Sequence, residues 1–125
     1  MPVEARSASA IGLTGRRADA KMARVAREIG IELGGHLSVP LTPALLTWAD
    51  RVLVMELVHA DTVRSTAAQA GLHDPWVELI GPYAGLQEVD DPHGSWTLGP
   101  YRRTRDHLSR AVAAHLEQIA ADLGI

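Results

Sequence analysis

The run RVLVM, Arg51 to Met55, constrains the fold more than any other stretch of the chain. It is compact and apolar after its first residue, too short for a helix of its own, and it fits a buried strand. On either side the pattern turns helical. In LTPALLTWAD, Thr42 is an N-cap and Pro43 occupies the first helical position, which predicts a short helix from Pro43 to about Ala49. A second helix is predicted from about Val58 to Ala70, ending at Gly71. WVELI, Trp76 to Ile80, is the next strand, opened by Pro75 and closed by Gly81-Pro82. Strands alternating with helices predict an α/β fold of three layers, a parallel sheet flanked by helices with right-handed crossovers.

The rest of the chain extends this plan. VEARSA, Val3 to Ala8, alternates weakly and reads as an edge or half-buried strand, bringing the sheet to about three strands. From Ala18 to Gly30, Met22, Val25, Ala26 and Ile29 recur with helical spacing. An irregular stretch from Gly81 to Pro100 precedes the last helix, on which Leu108, Val112, His115, Leu116, Ile119 and Leu123 share one face. No internal repeat is visible. Trp48 and Trp76 are expected as core or helix-packing aromatics.

At 125 residues and 13.4 kDa, a single domain over residues 1–125 is expected. With 46% hydrophobic and 22% charged residues the chain is too apolar for disorder. No apolar run approaches the roughly 20 residues that span a bilayer. MPVEARSASA lacks the apolar core of a signal peptide, so a cytoplasmic protein without membrane partners is expected. A net charge of −3 argues against nucleic acid as a partner. The chain has no cysteine, which removes disulfides, thiolate metal sites and thiolate nucleophiles together. The histidines show no metal-ligand spacing and no cofactor motif is present, so neither metal nor cofactor is expected.

The ordered set of segments resembles the low-molecular-weight protein tyrosine phosphatase family, especially its bacterial members that partner exopolysaccharide tyrosine kinases. SASAIGLTGRRAD, Ser7 to Asp19, is similar to the family's Ser-Ala-Gly strand end and loop, with Ser9 where Gly is usual. GIELGGH, Gly30 to His36, is similar to its helix exit. LTPALLTWADRVLVMELVH, Leu41 to His59, resembles its LT…AD.ILVM…H block, and ELIG…EVDDPHG its LLG…V.DPY block. The resemblance runs from about Val3 to the last helix. It implies a phosphotyrosine-phosphatase-like fold, truncated at its N-terminus. In the family a strand leads into a Cys-x5-Arg phosphate loop and a first helix, and these would lie upstream of this sequence.

In the family, the thiolate attacks phosphorus, the loop amides and Arg hold the equatorial oxygens, and an Asp before Pro protonates the leaving phenolate. The last of these maps to Asp91-Pro92, with His93 where the family usually has Tyr. An acid without its nucleophile cannot run that reaction, since general acid catalysis assists a step that another group initiates. The family's missing strand lies between the counterparts of Val3–Ala8 and Arg51–Met55. Its loss leaves an open sheet edge that direct pairing of the two remaining strands, a second copy of this chain or a different protein would fill. Of these, self-association through that edge is expected, because edge pairing and apolar burial both reward it.

The candidate catalytic residues are Asp91 and His93, as an acid/base couple; the competing reading of Asp91 is an Asx-type turn ahead of Pro92. Asp90 beside Asp91 makes a carboxylate pair. In GLTGRRAD, Arg16 or Arg17 with helix N-terminal amides would meet a phosphate-like anion, a basic solvated loop being the alternative. Trp96 would stack on a ligand at the pocket rim or lie over the core. His36 and His59 read as structural or capping residues. Three functions follow: a catalytically incompetent binding module, a repurposed small-molecule acid/base enzyme, or part of a split or mis-started phosphatase.

Overall fold

The structure, a computed structural model, describes residues 3–124; Met1, Pro2 and Ile125, which the expected domain includes, lie outside the described residues. Helix α1 spans Ala20–Arg27 and α2 spans Pro43–Trp48. As the sequence leads one to expect, Thr42 caps α2, its Oγ1 accepting from the Leu45 amide at 3.3 Å, with Pro43 at the first turn. Strand β1 is Val52–Val54, helix α3 is Leu57–Gln69 and strand β2 is Val77–Leu79. The two strands pair in parallel, Val52 opposite Val77 and Val54 opposite Leu79. A 3-10 turn over Gly81–Ala84 leaves β2, and α4 runs from Gly99 to Asp122.

Because side chains alternate across a strand, β1 feeds two separate cores. Val52 and Val54 join Leu46, Ala60, Val63 and Ala67 beneath α2 and α3. Leu53 and Met55 face Ile80, Val89, Leu108 and Ala111 beneath the 3-10 turn and α4. Helices therefore cover both faces of the small parallel sheet, and the expected α/β layering is present.

The sheet among the described residues has two strands. The third, expected over Val3–Ala8, forms no ladder; the chain there is exposed, and only Ser9 makes a parallel bridge, to Pro40. Strand geometry has to be completed by a neighbour, and no described strand lies alongside this run. On α4 the buried face is Tyr101, Thr104, Ala111 and His115 with Leu108 partly covered, while Val112, Leu116 and Leu123 are exposed. The expected apolar face is therefore narrower in the structure, these three residues lying outside its buried part. Trp48 and Trp76, expected as core or helix-packing aromatics, are partly exposed at element ends, each beneath a guanidinium: Arg6 at 4.3 Å and Arg51 at 4.1 Å from the ring centres.

Helix α1 is fastened to α4 by charge as well as by Val25 and Ala26, both buried. Arg102 donates to Glu28 through Nε at 2.9 Å and Nη2 at 2.7 Å, and Arg105 Nη1 donates to Glu28 Oε1 at 2.7 Å and to the Val25 carbonyl at 2.9 Å. The Arg102 hydrogen bond, with Arg105 behind it, holds the Glu28 carboxyl down at about 2 from an ordinary 4.5. A carboxylate that binds its proton less tightly when folded supports the fold above its unfolded value and loses that support as pH falls through its folded one. Wild type is therefore expected to lose urea midpoint between about pH 4.5 and about pH 2 more steeply than Glu28→Gln. Parallel pH profiles of the two proteins would refute the assignment.

Candidate functional site

The candidate site lies at the carboxyl ends of β1 and β2, the end of a parallel sheet where open α/β folds place their ligands. The path to it is fixed step by step. Gly85, at φ 78°, closes the 3-10 turn, and the Leu86 amide donates to the Gly81 carbonyl at 3.0 Å. Val89, fully buried, donates its amide to the Met55 carbonyl at 3.1 Å, which ties the segment to the end of β1. Thr104 of α4 then donates its hydroxyl to the Asp90 carbonyl at 3.0 Å. Asp91, Pro92 and His93 follow from this anchored position.

Asp91 accepts the His93 amide on Oδ1 at 2.9 Å. This is the Asx turn, and it leaves the second carboxylate oxygen of Asp91 outside any hydrogen bond among the described residues. The His93 ring makes no hydrogen bond to Asp91; its Nδ1 lies 3.1 Å from Oδ2 of Asp19. The expected couple is thus split. The backbone of His93 belongs to Asp91 and its imidazole to a carboxylate 74 residues earlier in the chain.

Asp19 is the residue that sequence reasoning missed. The helix was expected to begin at Ala18, which buries Asp19 inside it; in the structure Asp19 is the N-cap, its Oδ1 accepting from Lys21 and Met22 amides at 2.8 and 3.2 Å. An Asp just ahead of an amphipathic run is the signal that would have found it. Its Oδ2 also accepts the Tyr101 hydroxyl at 3.1 Å. Burial pushes the Asp19 carboxyl up, but the bonds from His93, Met22, Tyr101 and Lys21 outweigh it and hold the group below its ordinary 3.8. Burial, and then the bond to Asp19, push the Tyr101 phenol above its ordinary 10.

The other expected residues scatter around this centre. Asp90 and Asp91 line a small cleft of about 130 Å³ with Pro92, Arg103, Thr104 and His107, the last three supplied by α4 and not anticipated from sequence. Arg16 and Arg17 are exposed in a segment that runs beside Leu37 and Ser38, the Arg16 amide donating to Ser38 Oγ at 3.0 Å. The expected anion site at the start of α1 is corrected, because the Asp19 carboxylate already occupies those amides. Trp96 does not cover the core; it is 96% exposed. A larger cleft of about 360 Å³, between the end of α2 and the segment before β2, opens at the opposite end of the sheet. Among the described residues no three His, Asp or Glu side chains converge as metal ligands would, and no helix is long and apolar enough to cross a membrane.

Comparison with known proteins gives these observations a family context. The family model for low molecular weight phosphotyrosine protein phosphatase matches residues 1–124. A search of curated proteins found no match. Among solved structures, the low molecular weight protein tyrosine phosphatase from T. tengcongensis is 30% identical with a TM-score of 0.78, over 92% of this chain and 77% of that one. The tyrosine phosphatase Wzb from Escherichia coli K30, solved with sulphate, is 27% identical with a TM-score of 0.77, over 90% and 76%. Vibrio vulnificus Wzb, solved with benzylphosphonate, is 28% identical with a TM-score of 0.73, over 85% and 70%.

Proposed function

The chain belongs to the low molecular weight phosphotyrosine protein phosphatase family, and from that premise we propose that it is a catalytically incompetent member, a cytoplasmic binding module. The observation that carries this reading is chemical. None of the 125 residues is a cysteine, and the family reaction starts from a thiolate. Asp91-Pro92 keeps the position of the proton donor, yet one oxygen of that carboxylate is spent on the turn that shapes its own loop. The ligand surface is the loop from Asp90 to Trp96 with the cleft beside it, facing a small-molecule or phosphate-like group. The sulphate and benzylphosphonate in the two Wzb structures support the phosphate-like alternative.

Self-association belongs to the same proposal. Among the described residues β1 has β2 as its ladder partner and no second one. Val3, Ile11, Leu13, Ile29, Ile31, Leu37 and Val39 are exposed in the segments around α1. Unpaired strand edges and exposed apolar groups are both covered when chains associate.

One preparation tests the proposal in two readouts. The purified chain is expected to give no turnover of p-nitrophenyl phosphate above buffer and to sediment as a dimer or larger species at micromolar concentration. Turnover that scales with protein and falls in Asp91→Asn would overturn catalytic incompetence, and a clean monomer would overturn self-association. A second reading, a repurposed acid/base enzyme, is favoured by the Asp19–His93 contact. It predicts that Asp91→Asn or His93→Gln abolishes a rate, whereas a module has no rate for either substitution to abolish.

A further inference from the structure

Asp19 divides its two oxygens between two tasks. Oδ1 takes the amides of Lys21 and Met22, which are backbone donors and cannot reverse their role. Oδ2 takes the Tyr101 hydroxyl and His93 Nδ1, each at 3.1 Å. An ionised carboxylate only accepts, so every partner of Asp19 has to bring a proton. Tyr101 is buried at 1% exposure and fixes where Oδ2 points, while the His93 side chain is 80% exposed and its Nε2 has no partner among the described residues. We propose that Asp19 is the positioning residue of this site: its Oδ2 holds His93 in the Nδ1–H tautomer, so that the loop that also carries Asp91 presents the Nε2 lone pair to solvent as a hydrogen-bond acceptor.

The arrangement selects a ligand class. A neutral imidazole with its proton on Nδ1 can only accept at Nε2. The free oxygen of Asp91 also only accepts when ionised. A group that meets either acceptor therefore carries N–H or O–H donors, as a hydroxyl, guanidinium or ammonium does; a phosphoryl oxygen meets Nε2 only after the ring has taken a second proton. His93 stands where the family usually has Tyr, whose hydroxyl both donates and accepts, so the polarity of this position differs from that of the usual residue. The inference rests on the Asp90–Trp96 loop being the ligand-facing surface for its consequence, but not for the tautomer itself.

Asp19→Asn separates the two tasks. Asn caps helices as well as Asp does, so its Oδ1 keeps the Lys21 and Met22 amides and its NH2 replaces Oδ2. That NH2 donates, His93 Nδ1 has to accept, and the ring proton moves to Nε2. Long-range ¹⁵N–¹H correlation spectra of the full-length labelled chain report the tautomer directly, with His93→Gln identifying the signals. At a pH high enough for the ring signals themselves to show neutral imidazole, wild type is expected as Nδ1–H and Asp19→Asn as Nε2–H. Wild type in the Nε2–H form, or the same tautomer in both proteins, would overturn the proposal. If Asp19→Asn does not fold, Asp19→Ser retains a cap without Oδ2 and is expected to lose the Nδ1–H preference, an unchanged tautomer again counting against it. The readout uses no ligand, so its failure leaves the binding-module reading standing, and turnover in the phosphatase assay leaves the tautomer result standing.

Discussion

Truncating Tyr101 to alanine is expected to lower the melting temperature by about 10–20 °C, because a fully buried aromatic side chain leaves a cavity that α4 and α1 cannot close. Tyr101 is among the largest fully buried side chains of the chain, and it sits on the first turn of α4, opposite the cap of α1. Tyr101→Phe keeps the ring and removes only the hydroxyl that Asp19 accepts, so its loss should be a few degrees. The pair separates packing from hydrogen bonding at one position. Calorimetry of both variants checks it, and equal losses would mean that the hydroxyl, and not the ring, carries the stabilisation.

Gly81→Ala is the second substitution expected to be severe. A Cβ built there would lie 2.6 Å from the Gln87 carbonyl oxygen and 2.9 Å from its carbon, with the Leu86 oxygen at 3.1 Å. All three are backbone atoms, so no side chain can rotate out of the way. Relief would have to come from moving the 86–89 segment, whose bonds to Gly81 and Met55 set the height of the Asp91 loop. The cost is about 3 kcal/mol or more. Gly99→Ala, with nothing within 4 Å of the added carbon at the start of α4, is the matched control and should be neutral or stabilising by up to about 1 kcal/mol. Urea unfolding of the two variants tests the contrast, and similar midpoints would refute the steric account.

Much of this architecture could be read from local patterns. RVLVM and WVELI became β1 and β2 because short apolar runs between helices have few other uses in a chain this size. Thr42-Pro43 announced α2 because cap and first-turn chemistry is local. Val3–Ala8 failed as a strand for the opposite reason: a strand is made by its neighbour, which the run itself does not encode. At the site, the Asx turn at Asp91 was legible from Asp-Pro spacing, since it closes within two residues. The pairing of His93 with Asp19 was not, because nothing in either segment records that the fold brings them together. Resemblance pointed to Asp91 and His93, and the partner of His93 is Asp19, a residue that the sequence pattern placed inside α1.

The division of β1 between two cores has a consequence for how this chain can vary. Leu53 and Met55 support the side that carries the Asp91 loop, whereas Val52 and Val54 serve only the α2 and α3 side. The two clusters share no residue, so changes on α2 or α3 should combine additively with changes on α4, whereas neighbours along β1 and β2 remain coupled. The α2–α3 half can therefore drift, or be redesigned, as a separate compartment while the half that shapes the loop stays under its own constraints.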